Sequence, residues 1–151
     1  MYRYLILTLL ILFAAASAGA AGSGDDIGFG IIAGEPTGLC MKAWLGTHSA
    51  FDAAVAWSFS KEDALHLHGD YILHSFGIFN VEKGRMPLYY GIGGRIKFAD
   101  KSEVGLRVPV GLDYMITNNP LDIFLEIVPL LDLAPDTEID LNAAVGVRYF
   151  F

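Results

Sequence analysis

Glu103-Val104-Gly105-Leu106-Arg107-Val108-Pro109-Val110-Gly111-Leu112-Asp113-Tyr114-Met115-Ile116 divides into two interleaved sets of side chains. The even-numbered set, Val104, Leu106, Val108, Val110, Leu112, Tyr114 and Ile116, is apolar throughout. The odd set holds Glu103, Gly105, Arg107, Pro109, Gly111 and Asp113. Successive side chains of a strand point to opposite faces, so this pattern describes a strand with one uncharged face. The split recurs at 120–133, where Leu121, Ile123, Leu125, Ile127, Leu131 and Leu133 oppose Asp122, Phe124, Glu126, Val128 and Asp132. At the C-terminus Ile139, Leu141, Val145, Val147, Tyr149 and Phe151 oppose Asp140, Asn142, Gly146, Arg148 and Phe150. Upstream, Leu88, Tyr90, Ile92, Ile96 and Phe98 oppose Tyr89, Gly93, Arg95 and Lys97. A helix would place its apolar residues three and four apart, so the fold class is all-β.

The first residues read differently. Arg3 precedes an apolar run over 5–16, and Ala18-Gly19-Ala20 supplies small residues for cleavage. This is the pattern of a secretory signal peptide, expected over 1–20 with cleavage near Ala20 or Ala21. The run is shorter than the roughly 20 apolar residues of a spanning helix. The rest, 21–151, is then one exported domain. Cys40 is its one cysteine and has no partner for an internal disulfide.

Composition narrows the class further. The chain is 54% hydrophobic with a mean hydropathy of +0.45, and no later run reaches the length of a spanning helix. Excess apolar surface without such a helix points to spanning strands, which satisfy their backbone groups in hydrocarbon by closing into a barrel. A net charge of −7 gives a nucleic-acid partner no electrostatic attraction.

Alternation between turn signals places strands at 27–33, 38–45, 51–59, 64–76, 87–98, 103–116, 121–133 and 138–151. Turn-forming Gly34-Glu35-Pro36, Gly46-Thr47-His48, Lys61-Glu62-Asp63, Asp100-Lys101-Ser102, Asn118-Asn119-Pro120 and Ala134-Pro135-Asp136 separate most of them. The expected architecture is an eight-stranded, antiparallel, up-and-down transmembrane β-barrel preceded by a cleaved signal peptide. Pro109 and Pro129 fall inside strands of a barrel without edges, which predicts bulges at both.

Cost assigns the faces. A charge facing lipid at mid-depth costs about 2–4 kcal/mol, so the charged set points inward. The inward set is Lys42, Asp52, Asp70, Arg95, Lys97, Arg107, Asp113, Asp122, Glu126 and Arg148, with Trp44, Tyr89, Phe124 and Phe150 filling space. Side chains fill a barrel of this size, which predicts a salt-bridged lumen without an open pore. With both termini on the periplasmic side, Phe29, Phe51, Tyr90, Tyr114, Tyr149 and Phe151 gather outward at that end. Trp57, Phe59 and Phe98 gather at the other, making two aromatic girdles, with Tyr71 nearer mid-strand. The longest connection, 77–86, lies on the periplasmic side.

Several segments carry a resemblance. Gly34-Glu35-Pro36-Thr37-Gly38-Leu39 with Lys42 and Trp44, Tyr90-Gly91-Ile92-Gly93-Gly94-Arg95, Arg107-Val108-Pro109-Val110-Gly111-Leu112, Pro120-Leu121-Asp122-Ile123-Phe124-Leu125-Glu126 and Gly146-Val147-Arg148-Tyr149-Phe150-Phe151 resemble a family of small, functionally uncharacterised bacterial outer-membrane β-barrel proteins. The resemblance covers nearly all of 21–151 and implies a barrel similar to those of outer membrane protein A and outer membrane protein X. It also implies that Val147, Tyr149 and Phe151 form a C-terminal signal read by the outer-membrane assembly machinery. The outward connections here are shorter than in outer membrane protein X-like barrels, which weakens an adhesin reading.

The chemical constellations are modest. His66 and His68 stand at i and i+2 on one strand face, about 7 Å apart, with Asp70 and His74 in the same phase. That spacing could offer imidazoles to a metal or an acid/base group, but more simply suits lumen-lining side chains that hydrogen-bond neighbouring strands. Arg95, Arg107 and Arg148 with Asp113, Asp122 and Glu126 read as a structural charge network rather than paired catalytic carboxylates. Gly91, Gly93 and Gly94 lie in a strand with no helix following, which argues against a phosphate loop. Glu35, Glu62, Asp63, Asp100, Glu103, Asp132, Asp136, Glu138 and Asp140 form an acidic rim at the outer end, more simply a solvated surface than a cation site.

The expectation is a non-enzymatic integral barrel of a Gram-negative outer membrane, porin-like in architecture but closed, with a structural or interaction role in the cell envelope. No cofactor is expected, and its surroundings are outer-membrane lipid and lipopolysaccharide. The alternatives are an outer-membrane enzyme acting on lipid or lipopolysaccharide near His66 and His68, or a periplasmic lipocalin-like barrel with its apolar face turned inward.

Overall fold

A computed structural model describes residues 26–35, 37–58 and 64–151. The proposed signal segment, Pro36, Phe59 and the turn at Lys61, Glu62 and Asp63 lie outside the described residues. The elements are β1 (Ile27–Gly34), β2 (Thr37–Trp44), β3 (Ser49–Ser58), β4 (Ala64–Ser75), β5 (Leu88–Phe98), β6 (Glu103–Arg107), β7 (Val110–Met115), β8 (Leu121–Ala134) and β9 (Glu138–Phe150).

All pairings are antiparallel and, β6 and β7 apart, strands next to each other in sequence pair along the ring. β1 then closes the ring on β9, from Gly28 opposite Phe150 to Gly34 opposite Ala144. The result is a nine-strand sheet closed on itself, so the backbone donors and acceptors of every strand face a neighbour rather than an open edge.

The count of nine differs from the eight expected because the strand at 103–116 is broken. β6 and β7 are the two halves of that single pass, and both pair with β5 on one side and β8 on the other. Pro109 causes the break. The Gly91 amide donates to the Pro109 carbonyl, but proline has no N–H to return the bond. The Val108 amide likewise donates to the Pro129 carbonyl on β8 without a reciprocal bond.

Neither proline makes the expected bulge. Arg107 opposite Leu130 and Val110 opposite Ile127 keep one register across Pro109, and Val128, Pro129 and Leu130 pair without a shift against Asn142, Leu141 and Asp140. Each proline costs a ladder bond and no more. The irregularity lies instead between Val104 and Gly105, which face Ala134 and Asp132, leaving Leu133 as the extra residue on β8.

The two faces sort by polarity. Along β8, Ile123, Leu125 and Ile127 are 45, 56 and 52% exposed, whereas Asp122, Phe124 and Glu126 are 1, 3 and 4% exposed. β4 buries His66, His68, Asp70, Ile72 and His74 and exposes Tyr71 and Leu73. The interior of the ring is therefore ionic and its outside apolar, the reverse of a soluble barrel. Tyr71 stands directly opposite Phe51, so its level is set by cross-strand register and not by its place within β4.

Glycines mark where the wall is tightest. A Cβ on Gly93 collides with the Gly69 carbonyl and the Asp70 carboxylate, whereas on outward-facing Gly94 the nearest atom is the Gly105 carbonyl oxygen at 3.7 Å. Gly93→Ala is expected to destabilise the barrel by about 2–3 kcal/mol through overpacking. Gly94→Ala, at an open surface position, should stay within about 0.5 kcal/mol of the parent. Urea unfolding of the refolded proteins, followed by tryptophan fluorescence, measures both.

Candidate functional site

The interior is organised as linked ion pairs. Towards the end where both described termini lie, Lys42 of β2 reaches across the ring to Asp113 of β7 in a close contact, and its Nζ lies 3.9 Å from Asp122 Oδ2. Arg148 of β9 donates through Nε to Asp122 Oδ1 at 2.9 Å, and its Nη2 lies 3.6 Å from Asp113 Oδ2. Two cations and two carboxylates thus share one buried cluster.

Aromatic faces cover both cations. Lys42 Nζ sits 4.4 Å from the Trp44 ring centroid and the Arg148 guanidinium 4.1 Å from that of Phe124. The Lys42 ammonium donates to His74 Nε2 at 2.8 Å, which assigns the ring proton to Nδ1, 3.3 Å from the His48 carbonyl oxygen. Trp44, His74 and Phe76 stack across this end, and the Arg85 guanidinium lies 4.0 Å from the Phe76 centroid. The connection after β4 therefore folds partly over the mouth.

A second cluster follows deeper in the ring. Arg107 Nε donates to both Asp70 oxygens, at 3.0 and 3.2 Å, and its Nη2 lies 3.6 Å from Glu126 Oε1. Tyr89 donates its hydroxyl to Glu126 Oε2 at 2.9 Å. A third pair stands apart: Arg95 forks onto Asp132 through Nε at 3.0 Å and Nη2 at 2.6 Å. Nearer the rim, Lys97 and Glu103 are 3.6 Å apart and partly exposed.

The six residues of the sequence-derived network are thus all buried, with partners that alternation alone does not name. Arg148 takes Asp122 and Asp113, and Arg107 takes Asp70 and Glu126. Arg95 takes Asp132, a residue the sequence reading places on the acidic rim. Asp132 continues the buried phase of Asp122, Phe124 and Glu126 along β8, which turns it inward to meet Arg95. Sequence reasoning also missed Lys42 as the hub of the first cluster. Its inward phase was legible, but the ring closure that brings β2 to β7 was not.

His66 and His68 are buried, 2 and 9% exposed, and point away from the apolar outer surface. Val147, Tyr149 and Phe151 point outward, with the last two rings in edge contact at 4.9 Å. Among the described residues the buried charges are four cations, Lys42, Arg95, Arg107 and Arg148, against six carboxylates, Asp52, Asp70, Asp113, Asp122, Glu126 and Asp132.

A closed antiparallel barrel with an ionic interior is the class that this geometry defines. Among solved structures, the crystal structure of the N-terminal β-barrel domain of Pseudomonas aeruginosa OprF is similar, with a TM-score of 0.62 and 15% identity over 85% of this chain and all of that chain. That likeness bears out the fold expected from the resemblance to the outer membrane protein A barrel. No protein-family model and no curated protein sequence matches the chain.

Removing one partner of a buried pair leaves an uncompensated charge, so Arg95→Met is expected to cost about 3–5 kcal/mol. Arg95→Met combined with Asp132→Leu should recover most of that loss. Lys97→Met, at the wetter pair, should cost less than about 1 kcal/mol. Equilibrium unfolding of the four proteins in one lipid or detergent tests the ranking.

Proposed function

We propose that this chain is an integral outer-membrane β-barrel protein with a structural or interaction role in the cell envelope, its lumen closed by side chains. One observation carries the reading: large aliphatic and aromatic side chains cover the outside of a closed ring whose inside holds the charges. Water gives no reason for such an arrangement, whereas hydrocarbon demands both parts of it. A lipocalin-type barrel would need the opposite sorting. The acidic connections beyond the strands fit contact with solvent and lipopolysaccharide headgroups, the latter through shared divalent cations.

The remaining parts of the proposal follow from this setting. A signal peptide delivers the chain to the periplasm, and the outward C-terminal residues Val147, Tyr149 and Phe151 present themselves to the assembly machinery. The role is non-enzymatic. His66 and His68 face the interior, away from any lipid substrate on the outer surface.

Fractionation should recover the mature protein in outer membranes, and the unboiled sample should migrate differently from the boiled one on denaturing gels. Purified barrel in planar bilayers should give no sustained large conductance; a steady large conductance would overturn the closed lumen while leaving the barrel intact. Ile127→Arg separates lipid from water at the outer face. In lipid near the midplane it should cost about 2–4 kcal/mol, whereas at a water-exposed position it would be close to neutral.

A further inference from the structure

We propose that Asp52, His68 and Asp70 form a binding site for one divalent transition-metal cation inside the barrel, with zinc the best-matched probe. Asp52 of β3 and Asp70 of β4 are direct cross-strand partners, and His68 precedes Asp70 by two residues on the same inward face. One ligating atom from each of the three lies within 4.8 Å of the other two. Strand alternation and the β3–β4 register together therefore converge an imidazole and two carboxylates on one point.

Two of these side chains have a buried polar atom without a partner. Asp52 Oδ1 and His68 Nδ1 have no hydrogen-bond partner, although the residues are 93 and 91% buried by their 7 and 9% exposure. Leaving a buried carboxyl oxygen and a buried imidazole nitrogen without partners is unfavourable, and a cation held by both residues relieves it.

Charge balance points the same way. Among the described residues four buried cations face six buried carboxylic groups, so the interior holds more acidic side chains than cations to pair with them. The pairs described above engage Asp113, Asp122, Glu126 and Asp132, and Asp70 holds Arg107. Among the described residues Asp52 is the buried carboxyl group without a salt-bridge cation.

The donor set selects the ion. One imidazole with two carboxylates suits zinc and its first-row neighbours, and leaves room for a water as fourth ligand. Calcium prefers six to eight oxygens, which three side chains including a histidine do not supply. Arg107 donating to Asp70 has the place of the outer hydrogen bond that orients a ligating carboxylate. His66, whose two ring nitrogens are also unpartnered, stands one inward step from His68 but falls outside the convergent set.

The test uses untagged barrel refolded in detergent with zinc, cobalt or calcium present, then dialysed and assayed for bound metal. One equivalent of zinc per folded barrel is expected, together with visible d–d absorption from cobalt and no retained calcium. Asp52→Asn and His68→Gln should each lower zinc affinity at least tenfold and abolish the zinc-dependent rise in Tm, while His66→Gln keeps both within threefold. Heat-modifiability on gels identifies which variants have folded, and only folded barrel is scored. A folded parent that retains no stoichiometric zinc overturns the proposal, as does zinc binding unchanged in folded Asp52→Asn and His68→Gln.

Discussion

Closure of β1 on β9 is the constraint from which the rest follows. Once Gly28 to Gly34 lie against Ala144 to Phe150, the sheet has no free edge and its two faces become an inside and an outside. The inside is narrow, so every residue in that phase must fit a shared volume with residues from the far wall. Glycine takes the positions where walls and side chains approach most closely, as at Gly93. Paired charges and aromatic rings occupy the remainder.

Burying so many charges is expensive, and the pairing explains how it is sustained. Buried ion pairs seldom improve on apolar packing, but a half-broken one is strongly destabilising. The network therefore acts as a condition on folding: β2, β7, β8 and β9 are cross-linked by Lys42, Asp113, Asp122 and Arg148, and β4, β6 and β8 by Asp70, Arg107 and Glu126. A misregistered strand would strand a charge as well as turn apolar residues inward. The same interior keeps charge off the outer surface, where apolar side chains meet the surroundings.

Much of this was legible in the sequence because the strands alternate without interruption. Period two identifies the strands and phase assigns the faces, so Arg107, Glu126 and Arg148 read as inward from local pattern alone. Partner identity is not local. Asp132 shares the inward phase of Asp122 and Glu126, but its pairing with Arg95 across the ring is not written in β8 itself, and Asp52 meets Asp70 only through the β3–β4 register. Pro109 and Pro129 read as bulges because a missing donor often forces one; here the flanking register runs straight through, and each proline gives up a single bond. Closure, shear and bulges are properties of the whole ring, and alternation carries no signal for them.

The central claim is that the uncharged face of each strand contacts hydrocarbon while the ionic face is sealed within. Methyl-labelled, otherwise deuterated barrel in protonated phospholipid tests it most directly through nuclear Overhauser transfer from acyl chains and from water. Leu106, Val108, Leu125 and Ile127 should receive magnetisation from the acyl chains and none from water. Transfer to those methyls from water alone, from a protein folded and monomeric without lipid or detergent, would contradict the account.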